Sequence, residues 1–242
     1  MKKVSVFLLC MLVATGCSKK DPILPGVRHN IFADTEIKIA NLEVPELSKE
    51  IKNIFGDAPC VYSQDITNTI WNGNKKVFSG FATNNAVKSN QSPICAGNYI
   101  YTGLSTGEAI KINQKTRQVM WTTDVYKERN LTGAAAVVDI VAHVGIDKKA
   151  VYVGGLGDAF CKINIDNGNK LWCVDISVPV DFIVVDNFAF VVGSDNYLYA
   201  INTDSGIVYW KTEVKRQVVP KYNGEYIKVG RQKINYKNGN KI

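Results

Sequence analysis

Short strands with one repeated order of apolar and polar residues dominate the chain from about residue 71 onward. Four stretches rich in β-branched and aromatic residues each lead into a glycine, a turn and a second strand ending in an Ile-Asn pair. A polar turn follows, and a third strand carries a tryptophan eight residues after the asparagine. The tryptophans of the first three copies are Trp121, Trp172 and Trp210.

The fourth copy stops short of its tryptophan. It begins at Gly230, passes through Ile234 and Asn235 and reaches the last residue, Ile242, one position before the tryptophan is due. The repeat therefore predicts either a truncated chain or an incomplete ring of repeats.

The turn after the asparagine has a recurring glycine. It stands four residues after the asparagine in three copies, as Gly168, Gly206 and Gly239. Because glycine adopts a positive φ at little steric cost, we expect a left-handed residue at this point of each turn. Arg117 occupies the same position in the first copy, which predicts a different turn there.

Three strands per repeat are typical of a propeller blade, with the fourth strand in the segments between repeats. We expect fourth strands at residues 139–144 and 182–185, and tryptophans that fill the space between neighbouring blades. A β-sandwich is the alternative, but it does not require the same Gly, Asn and Trp order to recur. The prediction is an all-β, partial β-propeller of four to five four-stranded blades over residues 61–242.

A short amphipathic helix is predicted ahead of the blades. Its apolar positions follow the spacing of one helix face: Leu47, Ile51, Ile54 and Phe55. Gly56 would end this helix, which is expected to pack on its own domain. Residues 17–60 as a whole are predicted to form a tether that contains it.

The N-terminus has the pattern of an export signal. Lys2 and Lys3 precede an apolar run over residues 4–13 that is too short to span a bilayer, and small residues then lead to Cys17. This arrangement resembles the bacterial lipoprotein box, which implies a signal peptide of residues 1–16 and acylation of Cys17. Ordinary signal cleavage beside an incidental cysteine is the alternative. More than one acyl chain at Cys17 would anchor the protein stably in a membrane.

Export would also allow the other cysteines to oxidise. Cys161 and Cys173 lie on the two strands of one predicted hairpin, nearly equidistant from its turn, and could form a disulfide. Two buried thiols that fill apolar positions are the alternative, and the pattern favours them. No cysteine spacing is that of a zinc site.

The formal net charge is +7, and no run of five or six like charges occurs. We therefore expect the positive charge to be spread over a solvated surface, and we expect no nucleic-acid partner.

Several of these segments together resemble a known family. Residues 197–210 resemble the PQQ-type propeller repeat, and the lipoprotein box, residues 25–28, Trp71 and residues 92–101 extend the similarity to the BamB-type family in its alphaproteobacterial form. The resemblance implies a non-enzymatic scaffold, lipid-anchored in the outer membrane and facing the periplasm. It also implies binding to a BamA-type barrel and other assembly subunits, and assistance to unfolded outer-membrane protein clients.

The name of the repeat also suggests a quinoprotein enzyme that uses PQQ and calcium. Those enzymes have adjacent cysteines above the cofactor, and this sequence has none. His29 lies in the tether and His143 in an apolar strand, where packing is the expected role. We therefore expect no catalytic residue, cofactor or metal. A quinoprotein-type fragment and a non-functional truncated remnant stay open as alternatives.

Overall fold

The computed structural model describes residues 37–52, 54, 60–84, 86–87, 92–127 and 137–242. The predicted signal peptide of residues 1–16 and the predicted lipidation site Cys17 lie outside the described residues.

Five antiparallel sheets, here called blades 1 to 5, follow one another along the chain. Blade 1 contains β1 (Tyr62–Gln64), β2 (Thr69–Asn72) and β3 (Lys75–Ser79); blade 2 contains β4 (Ile94–Ala96), β5 (Tyr99–Gly103), β6 (Glu108–Asn113) and β7 (Val119–Asp124). Blade 3 contains β8 (Gly145–Ile146), β9 (Ala150–Gly154), β10 (Phe160–Asn164) and β11 (Lys170–Val174). Blade 4 contains β12 (Ile183–Val185), β13 (Phe188–Val192), β14 (Tyr197–Asn202) and β15 (Val208–Glu213), and blade 5 contains β16 (Lys221–Tyr222), β17 (Ile227–Val229) and β18 (Gln232–Ile234).

Within each blade the strands pair in chain order, so that every connection is a hairpin. This confirms the predicted all-β propeller architecture with four to five blades. The fourth strand of blade 4 lies at β12, where it was expected. In blade 3 the corresponding strand is β8, which follows residues 139–144 instead of occupying them.

The predicted helix is wrong. The described residues from 45 to 54 are not helical, and Lys52 instead forms an antiparallel β-bridge with Val184. Leu47 packs in the cluster between blades 4 and 5, whereas Ile54 packs in the cluster between blades 3 and 4. The apolar spacing therefore reflects an extended segment that contributes to two separate cores. Phe55 and Gly56 lie outside the described residues.

The hydrophobic core is divided into four clusters, one at each junction between successive blades. Successive residues of a strand point to opposite faces of the sheet, so one strand contributes to two clusters. On β13, Phe188 and Phe190 face blade 5, while Ala189 and Val191 face blade 3. Each central blade is thus apolar on both faces and depends on its neighbours to exclude water from them.

Each of the three signature tryptophans contacts the turn of the following blade. Its indole Nε1 donates a hydrogen bond to the carbonyl of the residue that follows the repeat asparagine. The distances are 3.0 Å from Trp121 to Ile165, 3.0 Å from Trp172 to Thr203 and 3.1 Å from Trp210 to Tyr236. The tryptophan therefore combines apolar packing with a directional bond between blades.

The turn glycines lie against these rings. Gly168, Gly206 and Gly239 have φ values of 77°, 74° and 77°. A Cβ on Gly206 would lie 2.8 Å from Cγ of Trp172, so both the backbone conformation and the ring demand glycine. The other two glycines have the same relation to Trp121 and Trp210.

The expectation of a different turn at Arg117 is wrong. Arg117 has a φ of 60°, and its N–H donates to the carbonyl of Asn113 as the glycines do in their own turns. In blade 1 the register position of the signature tryptophan is taken by Phe78, opposite Ile70. The turn position is therefore glycine in the three copies where a tryptophan indole lies against it, and arginine in the copy that follows a blade with phenylalanine at that position.

The repeat asparagines hold these turns together. The Oδ1 atom of Asn164 accepts hydrogen bonds from the N–H groups of Asp166 at 2.9 Å and Asn167 at 3.2 Å. Asn202 accepts in the same way from Asp204 and Ser205. Asparagine is favoured here because its short side chain can bond to backbone two and three residues further on.

Two disulfides connect the described cysteines. Cys161 and Cys173 lie directly opposite each other on β10 and β11, with their Cα atoms 4.1 Å apart, and form a disulfide in place of the two thiols that the pattern favoured. Cys60 and Cys95 form a second disulfide, which joins the segment before β1 to β4. Sequence reasoning did not identify this second pair.

An ion pair connects the segments that lead into the inner strands of blades 3 and 4. Nδ1 of His143 lies 3.0 Å from Oδ2 of Asp181, and the backbone N–H of His143 donates to Oδ1 at 2.7 Å. The hydrogen bond to Asp181 raises the pKa of His143 despite burial. Burial alone would raise the pKa of Asp181, but the bonds from His143 outweigh it and hold the pKa below its ordinary value.

The glycine requirement can be tested by Gly206→Ala. We expect this variant to lose about 3 kcal/mol of unfolding free energy, from left-handed strain together with the close approach to Trp172. Gly73→Ala is the matched control, since Gly73 has a φ of 55° but nothing within 4 Å of a new Cβ. The control should lose only about 1 kcal/mol in urea unfolding. Equal losses would show that the ring contact does not matter.

The His143–Asp181 pair predicts a pH dependence of stability. Because the native pKa of His143 is raised, the contribution of His143 to folding stability is fully present below pH 6.5, its ordinary pKa. This contribution is lost as the pH rises through the native pKa. The contribution of Asp181 to folding stability is present above pH 3.8, its ordinary pKa. It is lost only as the pH falls through the lowered native pKa. Relative to His143→Gln, the wild type should be more stable by about 1 kcal/mol near pH 5 and lose that advantage by about pH 8. Parallel pH profiles in urea unfolding would contradict this.

Candidate functional site

The outer strand of each of the first four blades has a β-bulge at the same point of the repeat. The pairing register shifts between Ile70 and Trp71 in blade 1, Lys111 and Ile112 in blade 2, Lys162 and Ile163 in blade 3, and Ala200 and Ile201 in blade 4. The extra residue on the outer strand is apolar or aromatic in every case: Val77, Met120, Leu171 and Tyr209. A bulge bends the strand and interrupts its regular ladder, so the extra residue is left unpaired within its own blade.

In blades 2 and 3 this outer edge presents apolar side chains to solvent. Val119 is 42% exposed, Met120 is 50% exposed and Leu171 is 52% exposed. We call these three residues the rim. Exposed apolar side chains along a sheet edge are typical of a surface that receives a partner strand.

In blade 4 the chain covers its own outer edge. Residues 37–52 and 54, here called the strap, cross this blade. Ile39 forms a parallel β-bridge with Val208, and the N–H groups of Ala40 and Leu42 donate to the carbonyls of Val208 at 2.9 Å and Tyr209 at 3.2 Å. The bulged residue of blade 4 therefore accepts a hydrogen bond from an added extended segment.

The strap then passes to the inner edge of the same blade. The N–H and Oγ of Ser48 donate to the carboxylate of Asp186 at 2.6 Å and 2.8 Å. The N–H of Lys52 donates to the carbonyl of Val184 on β12 at 2.9 Å. Both free edges of blade 4 are thus paired with the strap.

The inner end of the strap also reaches blade 3. Nζ of Lys52 lies 2.6 Å from Oδ2 of Asp147, and the carbonyl of Ile54 accepts a hydrogen bond from the N–H of Ile146. Gly145 makes room for the strap, since a Cβ there would lie 2.5 Å from Cδ1 of Ile54.

A cleft of about 670 Å³ lies between the strap and blade 4, lined in part by Glu50, Lys52, Asp186 and Tyr209. Within the described ranges, no group of three or more His, Cys, Asp or Glu side chains is placed to hold a metal ion. No described helix is long and apolar enough to span a membrane. The geometry offers strand edges and apolar side chains, the means of binding polypeptide.

The tryptophans and turn glycines singled out from the sequence lie at the junctions between blades, and Trp121 and Trp172 directly follow the rim residues Met120 and Leu171. Cys161 and Cys173 are paired within blade 3. Sequence reasoning placed no weight on Met120 and Leu171, although an apolar or aromatic residue directly precedes the tryptophan in each of the first three copies. It also assigned the strap to a tether. The rim residues could have been found from the repeat itself. The strap could not, because its position depends on contacts between residues more than a hundred positions apart.

Comparison with known proteins identifies the same architecture. The family model described as "Outer membrane protein assembly factor BamB" matches residues 57–212. A curated protein of that name from Legionella pneumophila (strain Paris) is 22% identical over 125 residues, which cover 52% of this chain and 33% of the relative. Another from Kangiella koreensis is 19% identical over 150 residues, which cover 61% of this chain and 39% of the relative. The chain thus spans between a third and two fifths of the length of these relatives.

The crystal structure of BamB from Moraxella catarrhalis has a similar fold. The TM-score is 0.61 at 17% sequence identity, and the match covers 73% of this chain and 57% of the Moraxella chain. At this identity the similarity shows the fold alone.

Proposed function

This chain belongs to the family of the outer membrane protein assembly factor BamB, and from that premise we propose that it is a non-catalytic scaffold subunit of the machinery that assembles β-barrels in the outer membrane. The observation that carries the proposal is the family match over residues 57–212. The bulged, apolar outer edges of blades 2 and 3 add support, because they suit the binding of extended polypeptide and offer no set of groups for catalysis.

The partners follow from this role. A BamA-type barrel and the other assembly subunits are the stable partners, and unfolded outer-membrane proteins are the clients. Acylation of Cys17 would anchor the protein in the outer membrane on its periplasmic side. Two acyl chains or more are needed for such an anchor to hold stably.

The strap suggests how a client segment is held. On blade 4 an extended stretch donates backbone hydrogen bonds to β15, including one to the carbonyl of the bulged Tyr209. Met120 and Leu171 have the equivalent position on blades 2 and 3. A client strand could donate to their carbonyls in the same way and cover their side chains with its own apolar residues, which alternate along the strands of outer-membrane barrels.

No specific observation among the described residues favours the alternatives of a quinoprotein-type fragment or a non-functional remnant. The described cysteines are engaged in disulfides, and no calcium-binding set of oxygen ligands stands out among the described residues. The similarity to PQQ-type repeats is a similarity of blade architecture, which hosts many functions.

The rim can be tested by the double substitution Met120→Asp and Leu171→Asp in the full chain, expressed with a tag in the native organism. About half of each side chain is already covered, so burial of the rest under a client contributes about 1 kcal/mol for each residue. The variant should therefore bind an unfolded outer-membrane protein at least tenfold more weakly. Binding is measured by photo-crosslinking to a radiolabelled precursor, and membership of the machinery by recovery of a BamA-type barrel from mild detergent.

Thr122→Asp is the matched control, because Thr122 is exposed on the same strand as Met120 but is not the bulged residue. It should leave crosslinking unchanged. Equal losses in control and variant would exclude the rim as the client site. Failure to recover a BamA-type barrel with the wild type would contradict the scaffold role itself.

A further inference from the structure

Asp139 is a buried carboxylate for which the described residues provide no cation. It lies on the segment that leads into blade 3 and is 4% exposed. Its Oδ2 accepts a hydrogen bond from the backbone N–H of Val87 at 2.6 Å, while Oδ1 has no hydrogen-bond donor among the described residues. Burial raises the pKa of Asp139, because the charged form is costly away from water. A buried carboxylate in this state needs an explanation.

The contact between blades does not require a carboxylate at this position. The carbonyl of Asp139 accepts a hydrogen bond at 2.8 Å from the N–H of Leu156, on the loop between β9 and β10. One blade further on, the carbonyl of Ser177 accepts from the N–H of Ser194 at 2.9 Å in the same way. The junction thus uses the backbone at this point, and a serine serves as well as an aspartate. The carboxylate of Asp139 is therefore available for another role.

The Asp139 side chain lines a cavity of about 40 Å³, here called the Asp139 pocket. Polar walls also come from Gln64 and Asn68 of blade 1 and from Ser105 of blade 2. Asn68 and Ser105 are 1% and 8% exposed, and Nδ2 of Asn68 donates to Oγ of Ser105 at 2.8 Å. These walls are therefore held in place by bonds within the fold. The volume suits one small polar group, since a water molecule takes about 30 Å³ of liquid.

A second carboxylate makes the pocket acidic. Asp65 lines it as well, but the Asp65 oxygens already accept hydrogen bonds, from Thr67, Thr69 and Trp71. Burial alone would raise the pKa of Asp65, but these bonds outweigh it and hold the pKa below its ordinary value. Asp65 is therefore a fixed negative charge beside the pocket, which favours a cation over an anion or a neutral group.

Few acceptors are open in the pocket, which favours an ammonium group over a metal ion. Oε1 of Gln64 accepts from the hydroxyl of Thr102. Oγ of Ser105 accepts from Asn68 and Thr83. Ca²⁺ takes about six to eight oxygen ligands, whereas an ammonium group has about three donors and bonds strongly to a single carboxylate. The planar guanidinium group of arginine is larger than the one small group that the pocket holds.

Exposed apolar side chains surround the pocket. Ile66 and Val87 line it and are 63% and 41% exposed. Phe81, whose carbonyl accepts from Nδ2 of Asn68 at 2.6 Å, is 85% exposed. A lysine side chain suits this arrangement, because its stem packs on apolar surface while its ammonium group reaches a polar one. A free metal ion would make no use of the apolar surroundings.

We propose that the Asp139 pocket binds a lysine side chain of a polypeptide partner, in which apolar residues flank the lysine. The ammonium group donates to Oδ1 of Asp139, and the apolar flanks cover Ile66, Phe81 and Val87. A charged anchor in a pocket that apolar contacts shield from water is typical of a binding hot spot. The proposal goes beyond the scaffold role and does not rest on the rim.

The test measures the fluorescence anisotropy of a dye-labelled pentapeptide, with lysine between two leucines, on the full chain in mild detergent. A second peptide has norleucine in place of lysine, which removes the ammonium group and keeps most of the stem. The wild type should bind the lysine peptide at least tenfold more tightly, because hydrogen bonds between charged groups are the strong ones. Equal binding of the two peptides would overturn the proposal.

Asp139→Asn tests the carboxylate itself. The side-chain oxygen of the amide still accepts from the N–H of Val87, so the loop keeps its contact, and urea unfolding checks that the variant folds. It should bind the lysine peptide about tenfold more weakly than wild type and the norleucine peptide equally well. An equal loss for both peptides would contradict an ammonium site.

The matched control is Asp166→Asn, which removes the same charge from an exposed turn of blade 3. It should bind the lysine peptide within about twofold of wild type, since distant exposed charges act only through a screened field. Equal losses in Asp139→Asn and Asp166→Asn would reduce the effect to overall charge and overturn the proposal.

Ca²⁺ alone is the second probe, in thermal unfolding of the full chain. A ligand that binds only the native state raises Tm, so Ca²⁺ should give no rise that depends on Asp139. A rise in the wild type that Asp139→Asn loses would assign the pocket to a metal ion and overturn the proposal. None of these measurements uses a BamA-type barrel, so a negative result would leave the scaffold role untouched.

Discussion

The contact between the tryptophan of one blade and the turn of the next is the interaction on which the array depends. A single sheet of three or four strands cannot shield two apolar faces, so its stability comes from its neighbours. The indole fills the space beside the turn and bonds to its backbone, and Gly206 or its equivalent leaves room for the ring. The lysine before the Ile-Asn pair adds a second donor to the same carbonyl in two of the blades, as Lys111 does at Ile165. The residues that recur in the sequence, namely the asparagine, the turn glycine and the tryptophan, are the ones that form this contact.

Stacking of the blades buries the apolar faces of the sheets but leaves the backbone groups of the edge strands unpaired. How these edges are treated differs from blade to blade. In blade 4 the strap pairs with both edges through Ala40 and Lys52. In blades 2 and 3 the bulge bends the outer edge while Met120 and Leu171 remain exposed. The outer edges of blades 2 and 3 therefore keep room for an added extended segment of the kind that the strap provides on blade 4.

The local part of this structure could be predicted from the sequence, because it repeats. The positive φ of Gly168 and the position of Trp172 between blades follow from residue type and spacing alone. Arg117 shows the limit: its turn has the same left-handed conformation as the glycine turns, although the residue type suggested otherwise. The need for glycine depends on the residue at the tryptophan position of the preceding blade, which in blade 1 is Phe78. Spacing also misled at Leu47 and Ile54, where two separate cores produce a helix-like pattern. The Cys60–Cys95 disulfide depends on how two blades meet, so no hairpin in the sequence pointed to it.

The most direct test of this account is native-state hydrogen exchange of Trp210→Leu. Trp210 is 4% exposed and bonds to Tyr236 of blade 5. Its truncation should cost about 3 kcal/mol and speed exchange across β17 and β18, while the amides of blade 2 keep their protection. Lys211→Ala, an exposed neighbour on the same strand, should leave blade 5 unchanged. Unaltered protection of blade 5 in Trp210→Leu, or an equal loss in every blade, would contradict the claim that the array is held together one junction at a time.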